Sequence, residues 1–284
     1  MSEPKDPAGP RRPVVPRDPA ALPSALEERD EIAALLGDRR PAVFLDYDGT
    51  LTPIVSRPEL AALSERMRRV LRELASRLPV AIVSGRDRAD VARLVGLREM
   101  IYAGSHGFDI AGPGGLAMEH EEAGKCLPDL EAAEEVLRRE LREIPASQVE
   151  RKRFGLAAHY RNVAEELVPA VERAVDRALA GHGRLEKRGG KEVFELRPRL
   201  DWDKGKAVLW LLRALGLDAA GILPIFVGDD LTDEDAFLAL ADRGVGILVG
   251  RPGHRTFATY SLRDSGEVGL FLDELAGLAA RKAR

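Results

Sequence analysis

The sequence predicts an α/β fold in which a parallel sheet with covering helices is interrupted by an inserted α+β module. Between residues 42 and 104, short apolar segments alternate with segments of helical periodicity, the pattern of a parallel sheet. After Phe108 this alternation gives way to long charged helices mixed with antiparallel strands. At Ile225 an apolar strand returns and ends in acidic residues. We therefore expect a core built from two separated parts of the chain.

The elements of the first core part follow from their periodicity and length. A buried strand begins at Ala42, and Ser64–Leu78 predicts an amphipathic helix with a serine cap at its start. Pro79–Ser84 predicts a second buried strand, Asp87–Val95 a helix and Ile101–Gly104 a third strand. No internal repeat interrupts this order.

Residues 112–198 differ in pattern from both flanks and predict the separate α+β module. Its predicted elements are a helix at 129–143, a strand-like segment at 150–160, a helix at 164–180 and a hairpin at 183–196 that turns at Gly189–Gly190. The first 24 residues are rich in Pro, Arg and Asp, and such a composition predicts a disordered tail. The expected domains are the tail at 1–24, the core at 25–111 and 199–284, and the module at 112–198.

The composition excludes several classes of protein. The formal charge of -4 over 284 residues gives no reason to expect nucleic acid or an anionic membrane as partner. No apolar run is long enough to span a bilayer, and the single cysteine, Cys126, excludes internal disulfides. The N-terminal residues lack the apolar segment of a secretory signal. We expect a cytoplasmic protein.

Two predicted strands end in carboxylates. Asp46 and Asp48 follow the first strand at a spacing of two, which places both side chains on one face. Asp229, Asp230 and Asp233 follow the strand that begins at Ile225. Because parallel strands end at the same edge of a sheet, these acids converge, and hard oxygen ligands of this kind suit Mg²⁺. The alternative is that the second group only caps the helix that follows it.

Cations and hydrogen-bond donors are placed where a phosphate could bind. Ser84-Gly85-Arg86 follows a strand and opens a helix, so its hydroxyl and backbone N–H groups could hold an anion. Lys204 begins a predicted helix and could contact a phosphate, although a solvated lysine at a helix start is the simpler interpretation. Together with the acids, these groups suggest phosphoryl transfer through a covalent aspartyl-phosphate.

These motifs, taken together, resemble a known superfamily. Asp46-x-Asp48-Gly-Thr, Ser84, Lys204 and Gly228-Asp-Asp-x-x-Asp233 look like the four motifs of haloacid dehalogenase-like (HAD) phosphatases. The resemblance narrows to trehalose-6-phosphate phosphatases, from about residue 40 to 270, through the segments Leu51-Thr-Pro-Ile54, Val83-Ser-Gly-Arg86, Gly104-Ser-His-Gly107, Ala158-His-Tyr-Arg161, Glu195-Leu-Arg-Pro198 and Trp202-Asp-Lys-Gly205. It implies a Rossmann-like HAD core with a cap domain inserted after the third core strand.

The resemblance also implies an activity: Mg²⁺-dependent hydrolysis of trehalose 6-phosphate to trehalose and phosphate, the final step of trehalose biosynthesis. Asp46 would be the nucleophile and Asp48 the general acid and base, while Ser84 and Lys204 would grip the phosphoryl group. Mg²⁺ would be held by Asp46, the main-chain carbonyl of Asp48, Asp229 and either Asp233, which we favour, or Asp230. Substrate-binding positions would be Arg86, His106, Glu150, Lys152, Arg161, Lys191 and Glu195.

Alternatives remain for the substrate and for the cap. The charged cap residues could form only a solvated surface, and His159 is interpreted as a packed strand residue. The substrate could be another sugar phosphate, such as glucosylglycerol phosphate, because the core motifs contact only the phosphate. The chain could also be a non-catalytic sugar-phosphate-binding partner of a synthase, although the complete acid set argues against this. As an enzyme, it could still work beside a trehalose-6-phosphate synthase.

Overall fold

The computed structural model describes residues 15–55, 60–190 and 192–282. Its strands are β1 (Arg40–Leu45), β2 (Val80–Val83), β3 (Ile101–Gly104), β4 (Asp109–Ala111), β5 (Ala117–Glu119), β6 (Gln148–Lys152), β7 (Gly155–His159), β8 (Leu185–Gly190), β9 (Val193–Pro198), β10 (Ile222–Gly228), β11 (Val245–Val249) and β12 (Tyr260–Leu262). Its helices are α1 (Arg29–Leu36), α2 (Glu65–Ala75), α3 (Arg88–Val95), α4 (Glu121–Gly124), α5 (Leu127–Leu141), α6 (Val168–Leu179), α7 (Lys204–Ala214), α8 (Glu234–Leu240) and α9 (Ser265–Lys282).

The larger sheet has eight strands in the order β12-β11-β10-β1-β2-β3-β4-β5. Its first six strands are mutually parallel, whereas β4 and β5 continue the sheet in antiparallel pairing. Leu45 of β1 lies beside Val227 of β10, so the acids that follow these two strands meet at one edge. The predicted α/β class with a mostly parallel core sheet is confirmed.

Helices cover both faces of this sheet. Side chains alternate along β1, so Val43 and Leu45 join a core formed with α1, α2, α3 and α9, whereas Phe44 joins a second core formed with α7 and α8. Both cores consist of buried apolar side chains. In the described part of the chain, no helix combines the length and the apolar character needed to cross a membrane.

The smaller sheet belongs to the inserted module and is fully antiparallel, in the order β6-β7-β9-β8. Its two faces differ in character. Leu156, Ala158 and Leu196 pack with α5 and α6 in a third apolar core. The alternate positions, which include Glu150 and Glu195, line the cleft between the module and the larger sheet. We call the module the cap.

The structure differs from the sequence predictions in the cap. β5 pairs with β4 in the larger sheet, so residues 112–119 extend the core instead of starting the cap at Gly112. The segment at 150–160 was expected as one strand, but it is a hairpin of β6 and β7. The second hairpin turns after Gly190 and not at Gly189–Gly190, because both glycines pair with β9. Extended glycines are compatible with a ladder, so their presence alone does not fix a turn.

The predicted tail also differs from the structure in its described part. Arg17 pairs with Thr256 and Ser24 with Ser261, so residues 15–24 run beside the β12 edge of the sheet. Main-chain hydrogen bonds compensate here for the lack of apolar periodicity. Residues 1–14 of the predicted tail lie outside the described residues.

Candidate active site

The Lys204 side chain lies between Asp46 and Asp233, where β1 and β10 end. The Lys204 ammonium donates to Asp46 Oδ1 at 2.8 Å and to Asp233 Oδ1 at 2.7 Å. Its position is set by the start of α7, where Asp203 caps the helix by accepting from the backbone N–H of Lys206 at 2.8 Å. Lys204 is only 2% exposed, so it is not the solvated lysine that the simpler interpretation required.

Asp233 organises the loop after β10. Its Oδ2 accepts from the backbone N–H groups of Asp229 at 2.9 Å and Asp230 at 3.0 Å. Asp230 in turn accepts from the N–H and the hydroxyl of Thr232. Asp233 is fully buried, and both of its oxygens are engaged. Its carboxylate therefore holds the loop in the shape that brings Asp229 toward Asp46.

The buried carboxylates around Lys204 carry more negative charge than the ammonium neutralises. Burial raises the pKa of Asp46 well above its usual value; Lys204 opposes this shift, and Asp233 and Asp229 add to it. Burial likewise raises the pKa of Asp233 to about 6, against the opposing effect of Lys204. Burial alone would lower the pKa of Lys204, but the adjacent carboxylates hold it well above its usual value. One ammonium does not balance the buried acids.

The same carboxylates fit a divalent cation. One oxygen each from Asp46, Asp229 and Asp233 lies within 4.8 Å of the other two. Carboxylate oxygens are the ligand type that Mg²⁺ prefers, usually together with waters and substrate oxygens. The donor set thus agrees with a hard divalent metal.

Gly49 permits the approach of the two strand ends. Its φ of +85° lies in the left-handed region, and a Cβ at this position would be 2.1 Å from Asp229 Oδ2. Only glycine accommodates both the backbone conformation and the adjacent carboxylate.

Asp48 is held by an arginine. Arg86 donates from Nε to Asp48 Oδ2 and from Nη2 to Asp48 Oδ1, both at 2.7 Å. Its Nη1 donates to Asp90 at 3.0 Å, and its guanidinium lies over the Tyr47 ring. This paired geometry fixes the orientation of the Asp48 carboxylate at the mouth of the acid cluster.

The loop Ser84-Gly85-Arg86 is tied to the loop that follows β3. The N–H of Ser105 donates to Arg86 O at 2.7 Å, and the N–H of His106 donates to Ser84 O at 2.9 Å. Ser105 and His106 both have left-handed backbone conformations, with φ of 48° and 58°. Strain of this kind persists where the surroundings impose it, commonly at functional sites. It places the His106 imidazole against Gly85.

His106 connects the core to two charged cap residues. Its Nε2 is 3.2 Å from Glu195 Oε2, and Lys152 donates to the other oxygen of Glu195 at 2.5 Å. Although burial works to raise the pKa of Glu195, Lys152 and His106 hold it well below its usual value. Burial lowers the pKa of His106. The cap thus presents a fixed carboxylate toward the core.

A second carboxylate is held in the same way within the cap. His159 Nε2 is 2.8 Å from Glu150 Oε2. Burial works to raise the pKa of Glu150, but His159 and Lys152 outweigh it and lower the pKa. The register places the small side chain of Ala157 between Glu150 and Glu195, and both glutamates line the cleft.

Comparisons with known proteins agree with this geometry. A family model described as trehalose-phosphatase matches residues 44–265. The chain belongs to this family. A probable trehalose-phosphate phosphatase of Oryza sativa subsp. japonica is 44% identical over 282 residues, which cover 91% of this chain and 75% of the relative. A trehalose-phosphate phosphatase of Mycobacterium tuberculosis is 44% identical over 259 residues, with 90% of this chain and 66% of the relative covered.

A solved structure gives the same result for the fold. The C-terminal domain of the trehalose-6-phosphate phosphatase of Candida albicans superposes with a TM-score of 0.77 at 26% identity, covering 90% of this chain and 98% of that one. The resemblance to HAD-type trehalose-phosphate phosphatases is therefore confirmed, and with it the class of phosphoric monoester hydrolases.

In this member of the trehalose-phosphatase family, most of the predicted site residues meet in one cleft of about 390 Å³ between core and cap. Those that line it are Asp46, Asp48, Ser84, Arg86, His106, Glu150, Lys152, Arg161, Glu195, Lys204 and Asp229. Asp233 lies behind Lys204 and supports it. Lys191 lies outside the described residues. Their roles are taken up below as proposals.

The sequence patterns do not identify every residue at the junction of core and cap. His159 was interpreted as a packed strand residue, but it lines the cleft and contacts Glu150. The alternation of the second cap hairpin would have indicated that Arg197 shares a face with Glu195. No local signal marks Asp87, whose partner lies in the cap.

Proposed function

We propose that the protein hydrolyses trehalose 6-phosphate to trehalose and inorganic phosphate through an aspartyl-phosphate at Asp46. The observation that carries this proposal is the convergence of Asp46, Lys204 and Ser84 on the floor of one cleft whose roof is the charged face of the cap. The family membership and the names of the relatives support the substrate.

The chain's own residues divide the two chemical steps. An oxygen of Asp46 attacks phosphorus, and the P–O bond to the sugar breaks, while Lys204 and the Ser84 loop neutralise and orient the phosphoryl oxygens. Asp48 gives its proton to the leaving sugar oxygen and later removes a proton from the water that attacks the acyl phosphate. Phosphate then leaves, and Asp46 returns as a carboxylate. Both Asp48 oxygens accept from Arg86, as the carboxylate of the second step requires, and the protonated Asp48 of the first step keeps one of these two bonds.

We propose Mg²⁺ as the metal. Asp46, Asp229 and the main-chain carbonyl of Asp48 would hold it, and Asp233 would complete or orient this set through the loop that it organises. When bound, Mg²⁺ shields the phosphoryl oxygens from the carboxylate and stabilises the charge of the transition state. A bound cation would also oppose the burial and the neighbouring carboxylates that raise the pKa of Asp46.

The cap supplies the recognition of the sugar. Glu150 and Glu195 each have one oxygen on a histidine, so both carboxylates face the cleft in fixed orientations. Lys152 and Arg161 add donors on the same wall. Polyols are discriminated by several directed hydrogen bonds, and this wall provides both acceptors and donors. Lys191 is proposed to add a further donor. A cytoplasmic location and a functional pairing with a trehalose-6-phosphate synthase stay predictions of the sequence.

The test is phosphate release from trehalose 6-phosphate, glucosylglycerol phosphate and glucose 6-phosphate, each with Mg²⁺ and with a chelator. We expect a clear preference for trehalose 6-phosphate, dependence on the metal and loss of turnover in Asp46→Asn. Asp273→Asn, an isosteric change at an exposed position of α9, is the matched control and should retain activity.

The outcomes separate the alternatives. A preference for glucosylglycerol phosphate would identify that compound, and not trehalose 6-phosphate, as the substrate. Equal rates on all three would contradict selection of the sugar by the cap. Binding of trehalose 6-phosphate without release of phosphate would identify a non-catalytic sugar-phosphate-binding protein. Covalent ³²P retained after a rapid acid quench, and absent in Asp46→Asn, would support the aspartyl-phosphate.

A further inference from the structure

Asp87 stands directly after the loop Ser84-Gly85-Arg86 and at the N-cap position of α3. Aspartate at this position normally accepts from the first N–H groups of its own helix. Ser64 and Asp203 do so at α2 and α7. The Asp87 carboxylate makes no such capping bond. Its hydrogen bonds are made with groups outside α3.

The carboxylate of Asp87 reaches the cap. The backbone N–H of Arg153 donates to both Asp87 oxygens, at 2.8 Å to Oδ1 and 2.9 Å to Oδ2. The hydroxyl of Ser105 donates to Oδ1 at 3.0 Å, which ties the same group to the left-handed loop that carries His106. The backbone N–H of Arg153 in the cap thus binds Asp87, the residue that directly follows the core loop Ser84-Gly85-Arg86.

Arg153 and Phe154 form the turn between β6 and β7, immediately after Lys152. Phe154 is buried against Phe108 of the core, with the ring centroids 6.0 Å apart. The tip of the cap hairpin is therefore seated on the core, and Lys152 is one residue from the Asp87 contact. Because the hairpin is a rigid ladder, the position of its tip also sets the position of Glu150.

We propose that Asp87 is a positioning residue that holds the β6–β7 hairpin over the phosphate-facing loop through the Arg153 N–H. This contact sets Lys152 and Glu150 at the sugar end of the cleft. The consequence for the sugar rests on the proposed function; the contact between core and cap does not.

A second contact joins the cap to a different segment of the core. Arg161 donates to the main-chain oxygen of Val55, in the segment after β1. Loss of the Asp87 contact would therefore shift the hairpin while the cap stays attached. Misplacement of a binding group by about 1 Å can cost about 100-fold in rate. We expect a loss of about 10- to 100-fold in kcat/KM for the sugar phosphate.

The chain offers a matched pair of variants at Arg153. Arg153→Pro removes the N–H at the first residue of the turn, where the backbone lies outside the left-handed region and proline is a favoured residue type. Arg153→Ala keeps the N–H and removes the side chain with its ion pairs to Glu119 and Asp109 of the core, which contribute little because the Arg153 side chain is half-exposed. On the core side, the serine of Asp87→Ser can cap α3, as Ser64 caps α2, but is too short to reach Arg153, and Asp87→Asn keeps one accepting oxygen.

The assay compares trehalose 6-phosphate with p-nitrophenyl phosphate, a small substrate that needs no contact with the cap. We expect Asp87→Ser and Arg153→Pro to raise KM for the sugar phosphate, to keep the rate on the aryl phosphate and to show no further loss when combined. Arg153→Ala should resemble the wild type, and Asp87→Asn should recover part of the loss. Additive losses, or equal damage by Arg153→Ala and Arg153→Pro, would overturn the proposal.

Hydrogen exchange separates this proposal from the proposed function. In the full-length protein, the amide of Arg153 should exchange faster in Asp87→Ser than in wild type, whatever the substrate. Unchanged exchange would refute the Asp87 contact even if trehalose 6-phosphate is the substrate. Faster exchange in an enzyme that ignores trehalose 6-phosphate would refute only the proposed function.

Discussion

Gly49→Ala should disable the active site because of a single methyl group. A Cβ at Gly49 would lie 2.1 Å from Asp229 Oδ2, whereas real Cβ contacts essentially never fall under 3.0 Å. The carboxylate must therefore retreat by about 0.9 Å, the difference between these two distances. A displacement of about 1 Å in a group that positions the reacting atoms can cost about 100-fold in rate, or about 2.7 kcal/mol in the barrier.

The control for this prediction is Gly114→Ala. Gly114 also has a left-handed backbone, with φ of +70°, but nothing lies within 4 Å of its added Cβ. Both variants pay a backbone cost of about 1–2 kcal/mol, and only Gly49→Ala disturbs Asp229. Steady-state kinetics and a Mg²⁺ titration should show a lower kcat and weaker metal activation in Gly49→Ala alone. Equal activity in the two variants would refute the close approach of Gly49 and Asp229.

Three further predictions concern the charged groups. Lys204→Met leaves Asp46 and Asp233 without their buried partner and should lower the free energy of unfolding by about 3–5 kcal/mol, measured by urea titration. Mg²⁺ at 100 times its dissociation constant should raise stability by about 2.7 kcal/mol in thermal melts, and Asp229→Asn should remove most of this gain. In the folded protein the pKa of Glu195 is lowered from its usual value of 4.5. Ionised Glu195 therefore stabilises the folded state above pH 4.5, and this contribution is lost as the pH falls through the lower folded pKa. Glu195→Gln should flatten the acid side of a plot of Tm against pH.

Each of these measurements has an outcome that would contradict it. A wild-type urea midpoint in Lys204→Met would mean that the buried aspartates are satisfied without the ammonium. A full Mg²⁺ response in Asp229→Asn, equal to that of the Asp273→Asn control, would remove Asp229 from the metal site. An acid limb that is as steep in Glu195→Gln as in wild type would assign the acid sensitivity to other carboxylates.

Local patterns predicted the core because its elements depend on near neighbours in the chain. The apolar run before Asp46 made β1, and the run from Ile225 made most of β10. Since parallel strands end at one edge, the meeting of Asp46 and Asp229 followed from the two patterns. The helix at 64–78 was predicted with its serine cap, and Ser64 accepts from the N–H of Met67. The α/β class needed no more than this.

Residues 112–198 were harder to predict because contacts with distant parts of the chain decide where their elements lie. β5 is a short edge strand of three residues, and its pairing with β4 is what places it in the larger sheet. The apolar residues before His159 favoured a packed position for it, but its side chain contacts Glu150, which lies nine positions earlier on a neighbouring strand. Short strands and single polar residues carry little periodicity, so the partner decides their place.

The sequence by itself determined the fold class, the order of the motifs and the chemistry of the acids at the strand ends. These depend on side-chain type and on spacings of a few residues. Only the tertiary structure decided that Lys204 bridges Asp46 and Asp233, and that Asp87 leaves its own helix to hold the cap. The Asp87 contact joins positions 66 residues apart. Such contacts form only when packing of the apolar faces brings distant segments together, which no local pattern encodes.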